Sequence, residues 1–239
     1  MKTINRNDLD TLAKRLTTLA TEELLEFTGG YKYYNYNGEY LGDFGITDQI
    51  RLLDMTQSEF NDALEMGTLS SGDGQAFYEA DLNIRANILS YIARESGLVS
   101  GLFAGVNVIV EDLGDASKAA KAVNGSIGED GNYSGTIYIN TNSKLFTEGF
   151  GANYYDFQLT IKHEMNHIAT PYDAGSNKSE YEAWLTVVTD PNIIYTSKAY
   201  YDNALRRYRE YYNAYKKDLE DSGESFEHLY DPSLIPNRW

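Results

Sequence analysis

A chain of 239 residues, 42% hydrophobic and 23% charged, has the make-up of a soluble globular protein and the length for one domain, or for a leader and one domain. A formal charge of −16 with no Lys/Arg cluster argues against nucleic acid as a partner. No apolar run reaches the roughly 18 residues of a membrane span or forms the core of a signal peptide. With no Cys, thiolate metal sites, cysteine nucleophiles and disulfides are excluded, and a transition-metal site must draw on His, Asp and Glu.

In chain order, residues 8–27 carry apolar side chains at Leu9, Leu12, Leu16, Leu19, Leu24 and Phe27. This predicts an amphipathic helix that ends at Gly29-Gly30, which as structure alone is a glycine C-cap. The spacing of Leu19, Glu23, Leu24 and Phe27 ahead of Gly29-Gly30 also resembles the double-glycine leaders of bacteriocin-like peptides, although their usual cargo is much shorter. The resemblance implies a partner, a peptidase-containing ABC exporter that recognises residues 1–30 and cuts after Gly30. The product would be secreted and begin at Tyr31, and it would stay strongly acidic because the leader holds four basic and five acidic residues.

Residues 31–45, rich in Tyr, Asn and Gly, read as a loop or irregular hairpin. Helical periodicity covers 47–66 with a break near Met55-Thr56, and after the Gly72-Asp73-Gly74 turn it covers 75–95. The β-branched runs 106–111 and 135–140 predict strands. Residues 156–169 predict a helix with Asp156 as N-cap and Pro171 beyond its end. Residues 179–189 predict another, with Ser179 as N-cap and Asp190-Pro191 as the stop, and 197–221 predict a last, Tyr-rich helix. The expected fold is α+β and predominantly helical, with a small mixed sheet packed on the helix 156–169 and one domain over 31–239.

That helix carries His163-Glu164-Met165-Asn166-His167. Residues four apart lie on one helix face, so both imidazoles can reach one ion. Glu164 lies about 100° around the helix, too far to chelate with His163 but near enough to act as general base on a metal-held water. With only three His in the chain, shuffling would produce this spacing in roughly three of every thousand sequences. Over residues 135–189 the pattern resembles the zincin metallopeptidases. The resemblance implies Zn2+ as cofactor, His163 and His167 as metal ligands, Glu164 as catalytic base, and a protein or peptide substrate.

A zincin needs a third protein ligand. Glu180, opening the run Ser179-Glu180-Tyr181-Glu182-Ala183-Trp184, resembles the second-helix glutamate of gluzincins. Glu182 and Asp173 are the alternatives. Asp173 stands six residues past His167, as in metzincins, but Thr170 replaces their turn Gly and no Met follows position 165 to build their Met-turn. His228, in the tail, reads as a surface residue. An oxyanion donor could come from Tyr154, Tyr155, Tyr172, Tyr181 or Tyr195, among which spacing does not choose. The resemblance also makes 135–140 the expected edge strand for substrate. The sequence therefore points to an exported, toxin-like zinc endopeptidase, against an exported bacteriocin-like or binding protein with a structural or inactive metal site.

Overall fold

The computed structural model describes residues 30–45, 47–97, 101–144, 153–170 and 175–235; the expected N-terminal helix, Asp173 and Tyr172 lie outside them. Gly30 is buried, and a Cβ built on it would lie 2.6 Å from the Phe44 backbone nitrogen. The chain then enters a hairpin of β1 (Tyr31–Asn35) and β2 (Tyr40–Phe44), made irregular by a register shift at Tyr33/Tyr34. β3 (Ile50–Leu53) lies parallel to β1, and the short β4 (Gln75–Ala76) closes a mixed sheet of order β2-β1-β3-β4.

The helix expected over 47–66 is therefore only half helix. Ile50, Leu52 and Leu53 are buried in a strand, and α1 (Gln57–Glu65) starts at the anticipated break. There Thr56 and Glu59 form a reciprocal capping box, which satisfies two backbone donors at the helix start. Similarly, the helix expected from residue 75 begins later, as α2 (Leu82–Glu95), because Gln75 and Ala76 pair with β3 and a 3-10 turn follows.

A second mixed sheet has the order β5-β7-β6, from β5 (Gly105–Glu111), β6 (Ala120–Ile127) and β7 (Tyr133–Asn140). β7 is parallel to β5 and antiparallel to β6. The strand expected to be the substrate edge is thus central, hydrogen-bonded on both sides. β6, which the sequence did not reveal, is the edge that packs against the helix carrying His163 and His167.

The motif lies on α3 (Tyr154–Ala169). Its N-cap is Asn153 rather than Asp156. Buried Asp156 instead accepts from the backbone N–H and hydroxyl of Ser197, tying α3 to the start of the last helix. α4 (Asn177–Val188), capped by Ser176 rather than Ser179, follows. α5 (Lys198–Ser222) runs from the Ser197 cap to Gly223, whose φ of 75° ends it in the left-handed region.

α3 is wedged between two cores. Phe157, Ile161 and Ile168 join Ile137, Ile139, Leu52 and Ile88 on one side, while Leu159 meets Tyr181, Val187, Tyr201 and Tyr208 of α4 and α5 on the other. The architecture is mixed α+β with two small mixed sheets where one was expected. Among the described residues no helix is long and apolar enough to cross a membrane.

The end of α3 rests on β7 at Gly135, where a Cβ would lie 2.6 Å from Ile168 Cδ1 and 3.1 Å from the Val123 carbonyl oxygen. Overpacking of this kind costs about 1–3 kcal/mol. Gly135→Val should therefore lower the melting temperature by roughly 3–10 °C, read by circular dichroism. An unchanged melt would mean that the helix does not bear on that strand.

Candidate metal centre

One turn of α3 separates His163 and His167, and their Nε2 atoms converge to 3.1 Å. The first turn of α4 brings Glu180 against them, with Oε2 3.7 Å from His163 Nε2 and Oε1 3.6 Å from His167 Nε2. These three are the group among the described residues whose donor atoms lie close enough together to hold an ion, within 4.8 Å of one another. Bonds of about 2.0–2.1 Å at tetrahedral angles set donor atoms about 3.3–3.4 Å apart, a value bracketed by the three observed separations. The donor set also fits. At 3.1 Å the two ring nitrogens either share one proton or face each other as lone pairs, and in the second case a cation between them satisfies both, with the carboxylate as counter-charge.

Burial makes both rings better ligands. It lowers the pKa of His163 to about 3, with help from the neighbouring His167, and that of His167 below its usual value, keeping both in the neutral form that binds metal. The Ala183 carbonyl lies beside His163 and opposes its shift, although Nδ1 makes no hydrogen bond of good geometry. The Trp184 ring, 4.4 Å from the His163 ring between centroids, packs against it. His167 is held by its other nitrogen, with Nδ1 2.9 Å from the buried Ser179 hydroxyl. When Nδ1–H donates to Ser179, Nε2 is left with its lone pair toward Glu180, an arrangement common behind metal-bound imidazoles.

Glu164 stands apart from this triangle. It is buried, and burial together with the nearby Glu180 raises its pKa to about 8, while the Ala122 backbone N–H of β6 pulls in the opposite direction. With His163 it lines a cavity of about 320 Å³. It stands outside the group of three donor residues and lines the cavity beside it.

Among the remaining expectations, Glu182 is outside the cluster. His228 is exposed. Tyr154 and Tyr155 meet edge to face at the far end of α3, where Tyr155 meets Tyr195, and Tyr181 is buried in the second core accepting from the Tyr230 N–H. None of these four belongs to the metal triangle or lines the cavity beside it. The sequence reading missed Ser179, Trp184, Ala122 and Tyr211, the last a half-buried α5 residue whose phenol feels the Glu180 charge. Spacing could have flagged Trp184, four residues after Glu180 and so on the same helix face. Comparisons of the chain with protein-family models, curated proteins and solved structures found no match.

If the triangle is a metal site, Ser179→Ala should weaken Zn2+ affinity about 10-fold or more, measured by competition with a chromophoric chelator. Glu180→Gln should weaken it further. Equal affinity in both variants and the parent would place the ion elsewhere.

Proposed function

We propose that this site defines a mononuclear metallohydrolase, with two imidazoles and one carboxylate as protein ligands and a fourth position left to solvent. More particularly, the chain reads as a zinc-dependent metalloendopeptidase of the zincin type, gluzincin-like in taking its third ligand, Glu180, from the helix after the active one. The observation that carries this is the convergence of His163, His167 and Glu180, whose donor atoms lie within 4.8 Å of one another, with Glu164 outside that group and lining, with His163, the adjoining cavity.

Zinc, when bound, would polarise the scissile carbonyl and acidify water. The chain's own residues do the rest. His163 and His167 present neutral nitrogens, and Ser179 and Trp184 fix their rings. Glu164, in its ionised form, takes the proton of the attacking water and returns it to the leaving amine.

An extended peptide needs a strand edge, and β6 supplies one. The Ala119 carbonyl turns inward to accept from the Asn140 N–H, so alternation turns the backbone groups of Ala120 and Ala122 outward, toward the side from which Glu164 meets Ala122. The acidic chain and the leader-like Gly29-Gly30 further support an exported, toxin-like setting with a protein or peptide as target.

Glu164→Gln should keep one equivalent of zinc and lose about 10²–10⁴-fold in peptide hydrolysis, read with a quenched-fluorescence peptide library. Chelation should abolish turnover and Zn2+ should restore it. A Glu164→Gln protein that keeps its full biological effect would instead favour a structural ion in a bacteriocin-like or binding protein. For export, mass spectrometry of the culture medium should find a product beginning at Tyr31. Full-length chain confined to cells would reject the leader.

A further inference from the structure

The cavity next to Glu164 has a composition at odds with the rest of the molecule. In a chain of net charge −16, its lining holds one acid, Glu164 at the metal end, and one cation, Arg207. Tyr200, Asn203 and Arg207 lie at i, i+3 and i+7 on α5, so a single stripe of that helix forms the far wall.

Asn203 and Arg207 present the donors. Tyr200 is buried, and burial raises its pKa, so the phenol keeps its proton; the single Thr160 hydroxyl proton goes to the Asp156 carbonyl at 2.7 Å, so the Tyr200 hydroxyl, 3.5 Å from Thr160, stays directed at that side chain. Asn203 Oδ1 accepts from Arg206 Nη2 at 2.7 Å, which directs its NH2 group away as the remaining donor. Arg207 is exposed and donates to Glu210 at 3.3 Å, and its other N–H groups are open to solvent and to a ligand. Ala119, Ala120 and Trp184 add apolar surface to the lining, and Ser117, Ser143 and Thr160 add hydroxyls.

A cavity whose one cation is Arg207, with the Asn203 amide on the same stripe of α5, fits a side chain that ends in a carboxylate. Because Glu164 delivers its proton to the leaving amine, the residue that carries that amine lies on Glu164's side of the metal triangle, where this cavity opens. Resting on the peptidase reading, we infer that the cavity selects an acidic side chain in the residue immediately after the scissile bond, with Arg207 as the specificity-determining residue. Glutamate is favoured over aspartate, since its longer side chain reaches further toward Asn203 and Arg207 on α5.

The same chemistry could come from a free peptide C-terminus, and the test separates the two. Zinc-loaded protein is incubated with a peptide library whose C-termini are amidated, and the products are sequenced from their new N-termini. Glu should be enriched about tenfold over Gln at the first cycle. Arg207→Glu should reverse that ratio in favour of Gln and Lys, and Arg207→Lys should restore part of it. Independently, a fluorescent glutamate-containing peptide should bind the inert Glu164→Gln protein about tenfold tighter than its glutamine counterpart, by anisotropy, with the difference lost in the added Asn203→Leu and Arg207→Glu variants.

Cleavage without acidic preference, or with a preference that survives Arg207→Glu, overturns the pocket assignment and leaves the peptidase standing. Cleavage only of peptides with a free carboxyl terminus transfers the pocket to the chain end and also overturns it. No cleavage of any peptide by zinc-loaded protein removes the peptidase reading and this inference together.

Discussion

The close approach of α4 to α3 is the constraint from which the site follows. Ser179 and Ala183, one turn apart on α4, are both fully buried, and both are small. Small residues let two helix axes come together, and here they bring Glu180 and Trp184, the next residues round the helix, up to the two imidazoles. Glu180 also sits in the first turn of α4, where the unpaired N–H groups of the helix start favour a carboxylate. A larger side chain at 179 or 183 would push the carboxylate away from ring nitrogens that it now reaches at 3.6 and 3.7 Å.

Holding such a site together costs stability, because two imidazoles and a carboxyl are taken out of water. The surroundings offset this by pinning α3 from several directions. Its start is tied to the cap of α5 by Asp156, its middle to the segment after α4 by the 2.6 Å Lys162–Asp190 ion pair, and its flanks to two separate apolar cores. The chain after α5 contributes as well: Leu229 and Ile235 are buried in the second core, and Tyr230 donates its N–H to Tyr181. The irregular tail is therefore part of the support for α4.

What the sequence revealed and what it hid have physical causes. The pairing of His163 with His167 was legible because helical spacing is fixed, so residue identity and separation predict which side chains share a face, whereas Glu180, on another helix, was singled out only through the resemblance to gluzincins. β5 and β7 were legible as β-branched runs. β6 was hidden, since Asn124-Gly125 reads as a turn; in the fold Asn124 takes φ 55° within a register irregularity and the strand continues past it. The segment containing β3 was misread because Ile50, Leu52 and Leu53 fit a helical stripe and a buried strand equally well. Edge and centre in a sheet depend on partners far away in the chain, so the place of β7 could not be read from its own residues.

The packing of Gly30 has a consequence for the order of events in the life of the chain. Its Cα lies against the Phe44 backbone, and Tyr31 beyond it is already paired with Phe44 across the hairpin. A processing enzyme must draw several extended residues into its own cleft, which the finished sheet does not release without local unfolding. Any scission at that junction therefore belongs to the polypeptide before its first hairpin closes, and folding itself acts as the deadline.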